Sequence, residues 1–89
     1  MNVLLIAFDA HKLTSLKLRP LIESSFPGTW RGLHGAYIVR SPLTSPELRD
    51  MLKPALSDND ELLVVTLAPG GWTWRGNTEA GVEWLQKNA

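Results

Sequence analysis

Two runs in this chain are apolar at every position, Val3-Leu4-Leu5-Ile6-Ala7-Phe8 and Leu62-Leu63-Val64-Val65, and they constrain its folding more than any other feature. A strand with one face in water alternates apolar and polar residues; a run without alternation must be covered on both faces. The first run, a strand expected over residues 2–8, ends at Asp9 after only six apolar residues. It is too short for a membrane span of about 20 residues, and no basic segment precedes it as in a secretion signal. A buried strand in a protein of the cytoplasm is the expectation.

The remaining elements follow from spacing. Residues 10–15 read as a polar connection, and a helix follows to about Phe26 with Leu18, Leu21, Ile22 and Phe26 on one side. Its start is open between the end of that connection and Arg19, because Pro20 belongs in a first turn, and Pro27-Gly28 stops it. Strands are expected over 29–34 and 36–40, joined at Gly35. Thr44 and Glu47 form a capping box that opens a second helix, with Leu48, Met51, Leu52 and Leu56 along one side and Pro54 bending or ending it. Asp58-Asn59-Asp60 is a turn before the second apolar strand, residues 61–67. After Pro69-Gly70-Gly71, Trp72-Thr73-Trp74-Arg75 alternates like a short fifth strand, and a last helix runs from about Asn77.

The order β-α-β-β-α-β, with an added short strand and helix, is that of an α+β domain of ferredoxin-like type, a single unit over residues 1–89. An 89-residue chain has room for one core. Right-handed crossovers place both main helices on one face of the sheet, leaving the other face of the apolar strands to be covered. The last helix has a narrow apolar stripe, so a homodimer through the sheet is the simpler expectation.

Charge and composition exclude several functions. Nine basic and nine acidic residues cancel, which rules out a strongly basic nucleic-acid binder and an acidic tail as whole-chain readings. The cancellation hides an asymmetry: residues 1–45 carry a net +3 and residues 46–89 a net −3. The absence of cysteine removes disulfides, thiolate zinc sites and cysteine nucleophiles. Pro69-Gly70-Gly71 lacks the length and the lysine of a phosphate loop.

A set of short motifs runs through the chain: Phe8-Asp9, Trp30, Tyr37-Ile38-Val39, Leu48-Arg49-Asp50 with Leu52 and Pro54, Asp58-Asn59-Asp60, Leu62-Leu63-Val64-Val65, Trp74-Arg75-Gly76 and Trp84-Leu85. On these the chain resembles a family of short bacterial and phage proteins labelled SinR-like, over most of its length. More distantly it is similar to the small second subunit of CRISPR spacer-integration complexes and to VapD-type toxins. The resemblance implies a ferredoxin-like homodimer. In some members of that wider group, paired aspartates at the ends of the first strands hold a divalent metal and cut nucleic acid. Asp9 matches that position, and only Asp9 carries over.

Asp9 is thus the candidate catalytic and metal-ligating residue, two copies sharing one Mg²⁺ across a dimer axis; the plainer reading is a turn that ends the strand. His11 and His34 are too few for a zinc site with Asp9 and read as loop and strand-end residues. Arg31, Arg40 and Arg75 are candidates for phosphate contacts, with Trp72 and Trp74 conceivable as stacking platforms. Burial in a core or a dimer interface is the stronger reading of the four tryptophans. The sequence therefore points to a small homodimeric accessory protein, associated with nucleic acid and without efficient catalysis of its own. The alternatives are a Mg²⁺-dependent nuclease acting through Asp9 of both subunits and a protein–protein interaction module.

Overall fold

A computed structural model describes residues 1–26, 28–73, 75 and 79–89, with backbone only for 32, 33 and 79–81. The chain runs β1 (Asn2–Asp9), α1 (Lys12–Ser25), β2 (Trp30–Leu33), β3 (Ala36–Ser41), α2 (Ser45–Leu52), a 3-10 turn (Lys53–Ala55), β4 (Glu61–Thr66) and α3 (Glu79–Asn88). The strands form one sheet in the order β2-β3-β1-β4, with every neighbouring pair antiparallel. The protein is an α+β fold of four strands and three helices among the described residues. No helix among them is long and apolar enough to cross a membrane.

Strand alternation divides the side chains of β1 between two cores. Leu4 and Ile6 join Leu18, Ile22 and Phe26 of the α1 side, Tyr37 and Val39 of β3, and Leu48 and Leu52 of α2 in the larger cluster. On the opposite face Val3 and Leu5 pack with buried Trp30, Ile38 and Leu85, and with half-buried Leu67, Trp72 and Trp84. The last helix thus covers more of the second face than its narrow stripe suggests, because Leu85 and Trp84 are supplemented by Leu67 and Trp72 from the segment before it. Its cover stops short of β4. Leu63 and Val65, which share a face with Ala7 and Leu5, are 59% and 37% exposed.

The start of α1 corrects the sequence reading. The helix begins at Lys12, inside the expected connection and before the expected range of starts up to Arg19, and Pro20 sits inside it. His11 caps it, the ring Nδ1 accepting the Leu13 N–H at 3.2 Å. Asp60 adds a second cap from across the fold. Its Oδ1 accepts the His11 N–H at 2.8 Å and its Oδ2 the Thr14 hydroxyl at 2.6 Å. With its first turn held this way and Leu18 and Ile22 buried, the helix tolerates the one hydrogen bond that Pro20 cannot donate. The second helix starts as expected: the Thr44 hydroxyl accepts the Glu47 N–H, and Glu47 accepts the Thr44 N–H at 2.9 Å. Met51 lies at the rim, not in the core, and Asp50 pairs with Arg49 at 3.0 Å.

The short fifth strand is not formed at residues 71–73 or at Arg75, where the backbone is irregular; Trp74 lies outside the described residues. Three of the four positions expected to alternate thus carry no ladder. Trp72 is instead half-buried in the second core, where its packing does not depend on strand pairing. Pro27, Gly76 and Asn77, which the sequence places at helix boundaries and in a motif, also lie outside the described residues.

Candidate functional site

Asp9 closes the central strand β1, and the register sets it directly opposite Glu61, the first residue of β4. Both side chains are exposed. His34 lies on the turn between β2 and β3, and with these two carboxylates and Ala7, Ala36, Leu62 and Leu63 it lines a cleft of about 350 Å³. The turn is held close to β1 because the Phe8 N–H donates to the Gly35 carbonyl at 2.8 Å. Gly35 has φ +68°, and a Cβ there would stand 2.7 Å from the Phe8 carbonyl oxygen, so only glycine fits without displacing backbone.

Chemically this cleft offers two neighbouring carboxylates and an imidazole at an open rim. Hard oxygen donors suit Mg²⁺, which commonly binds through one or two carboxylates and retains waters. Among the described residues, however, no group of three or more His, Asp or Glu side chains is placed to hold a metal ion. Asp9 and Glu61 alone would supply the protein donors.

Asp60, one residue before Glu61, has a different task. Besides its two contacts to the start of α1, its Oδ2 accepts the Ser57 N–H and hydroxyl, each at 2.7 Å. The Thr14 hydroxyl, then the Ser57 hydroxyl, then the backbone N–H groups of His11 and Ser57 hold the Asp60 carboxyl well below the usual carboxylate range. The turn that contains it is therefore fastened to the start of α1, close to the end of β1. His11 is committed as a helix cap.

Two of the candidate phosphate-binding arginines, Arg31 and Arg40, are not brought together. Arg31 reaches Glu23 of α1 at 3.9 Å and lies over the Tyr37 ring at 5.9 Å, on the face that carries α1 and α2. Arg40 lies on the α3 face, level with Val3, where its Nη1 contacts Asn88 at 3.4 Å. Arg75 is exposed. Two of the three thus occupy opposite faces of the sheet and form no single track for a phosphate chain.

Three residues without a local signal in the sequence are prominent in the structure. Glu61 reads from the sequence as an ordinary strand residue, and its partnership with Asp9 follows only from the β1–β4 register. Asp60 has the local pattern of a turn residue, and its role at the start of α1 comes from contacts across the fold. Arg19 lies 5.3 Å above the Phe8 ring, which in turn stacks on Tyr37 at 6.3 Å. No protein-family model, curated protein or solved structure matches this chain.

Proposed function

We propose that the protein is a small ferredoxin-like accessory module that acts as a homodimer and performs no efficient catalysis of its own. The sheet order β2-β3-β1-β4, with α1 and α2 on one face, supports the ferredoxin-like reading. The observation that carries the functional reading is the uncovered pair Leu63 and Val65, which continue the apolar face left open by α3. Apolar side chains in a row on a sheet favour association over solvent. The distribution of Arg31 and Arg40 favours a protein surface over a nucleic-acid track.

One observation favours a second reading, a Mg²⁺-dependent phosphodiesterase: Asp9 and Glu61 meet in one cleft with His34. Two assays separate the readings. Sedimentation at micromolar concentration should give close to twice the chain mass, and a monomer across that range would overturn the accessory dimer. Mg²⁺ should produce no robust cleavage of single-stranded or duplex nucleic acid. Strong turnover that disappears in Asp9→Asn would establish the phosphodiesterase instead.

A further inference from the structure

We infer that the dimer forms by antiparallel pairing of β4 with its own copy, centred on Val64, to give a continuous eight-stranded sheet; this rests on the homodimer reading above. The Leu67 N–H donates to the Val3 carbonyl at 2.8 Å, and Val3 and Leu67 continue the β1–β4 register that pairs Leu5 with Val65 and Ala7 with Leu63. Hydrogen-bonded pairs alternate along an antiparallel ladder. The odd-numbered residues of β4 therefore bond inward to β1, and Leu62, Val64 and Thr66 turn their N–H and C=O groups outward. Among the described residues, none hydrogen-bonds to these outward groups.

The two edges of the sheet are built differently. β2 has four residues, an irregular register between Trp30 and Leu33, and a charged Arg31, features that discourage edge pairing. β4 is a regular run, Glu-Leu-Leu-Val-Val-Thr, without proline, bulge or lysine. A cleft of about 220 Å³ between Ser45, Pro46 and Arg49 and the strand leaves its edge open beside α2.

A two-fold axis perpendicular to the sheet maps each face onto itself, so outward-bonding residues must meet outward-bonding residues. Centring on Val64 pairs Val64 with itself and Leu62 with Thr66, which uses all three outward residues. It also sets Leu63 opposite Val65 of the second copy on the open face, in the non-hydrogen-bonded positions where side chains approach most closely. Glu61 then faces Leu67, so no like charges oppose. Centring on Leu63 instead would use only two outward residues and set Glu61 against Val65. In the Val64-centred sheet the two Asp9 residues stand about 25 Å apart, from strand spacing and rise per residue. A metal shared between them is incompatible with this dimer.

The chain has no cysteine, so introduced thiols report the register directly. A mixture of Leu63→Cys and Val65→Cys chains should cross-link under mild oxidation, while Leu63→Cys alone should not, because diagonal neighbours exceed the Cβ separation of a disulfide. Leu63→Lys, at an exposed position, should leave the circular dichroism unchanged and weaken dimerisation at least tenfold. Cross-linking by Leu63→Cys alone would overturn the register. A sedimenting dimer that resists both the mixed cross-link and Leu63→Lys would overturn the β4 edge while leaving the homodimer standing. A monomer would remove both.

Discussion

Asp60 and Thr14, 46 positions apart, are joined by a 2.6 Å hydrogen bond from the threonine hydroxyl to the carboxylate, which fastens the turn before β4 to the first turn of α1. The same carboxylate receives the His11 N–H, so one side chain does the work of a helix cap from outside the helix. It also places Glu61, the next residue, beside the end of β1.

Because the Asp60 carboxyl is held below its ordinary value in the folded protein, its contribution to stability is full above the unfolded value near pH 4. It is lost as pH falls through the folded value. Urea midpoints measured between pH 2 and 6 should decline below about pH 4 in the native protein. Asp60→Asn should be less stable at pH 7 and show a flatter acid decline. An equally steep decline in the variant would assign the effect to another group.

Gly35 and Gly70 have nearly the same φ, +68° and +70°, but only Gly35 faces the backbone of β1. Gly70→Ala should cost about 1–2 kcal/mol, the penalty of a left-handed residue with a side chain. Gly35→Ala should cost clearly more, because its Cβ also meets the Phe8 carbonyl. Equal losses in denaturant titrations would show that the turn relaxes without disturbing β1.

The Tyr37 hydroxyl is buried with no hydrogen-bond partner among the described residues, while its ring packs against Phe8 and the α1 side of the core. Removing an unpaired buried hydroxyl relieves a desolvation cost. Tyr37→Phe should be as stable as the native chain or more so, by up to about 2 kcal/mol. A loss above about 1 kcal/mol would reveal a partner for the hydroxyl.

Among the described side chains of α3, Leu85 is the buried one, in the cluster of Trp30 and Ile38. Leu85→Ala should destabilise by about 2–5 kcal/mol, the usual range for emptying a core leucine. Tryptophan emission should also shift to the red as Trp30 gains water. A shift without loss of stability would mean that α3 shields the face without holding the fold.

Asp9 and Glu61, opposite one another with like charge, should repel at low salt. Asp9→Asn and Glu61→Gln should each raise stability by a few tenths of a kcal/mol at low ionic strength, and the gain should fade in high salt. If millimolar Mg²⁺ instead stabilised the native chain and either substitution abolished that gain, the pair would be a cation site.

Much of the architecture was legible in local pattern. The unbroken apolar runs marked β1 and β4 as strands, Thr44 and Glu47 marked the start of α2, and Leu18, Ile22 and Phe26 marked the buried side of α1. These features depend on periodicity and on contacts three or four residues apart, which any reader of the chain can count. The start of α1 was not legible, because its near cap is a histidine, not one of the usual capping residues, and its second cap, Asp60, lies 46 to 49 positions away. Nor was the fate of Trp72, whose alternating neighbours suggested a strand but whose own burial comes from packing against the cluster of Trp30, Ile38 and Leu85.

The sequence by itself determined that two strands must be apolar on both sides, and that helices on one face would leave work for something else. Which of Leu63 and Val64 points to which face was decided only by tertiary structure. Strand side chains alternate, so a one-residue change of register exchanges the faces without altering the pattern of apolar residues. The observed register turns Val64 toward α1 and α2, leaves Leu63 and Val65 beyond the reach of α3, and sets Glu61 against Asp9. Each of these outcomes comes from pairings between residues more than fifty positions apart, which local propensity does not encode.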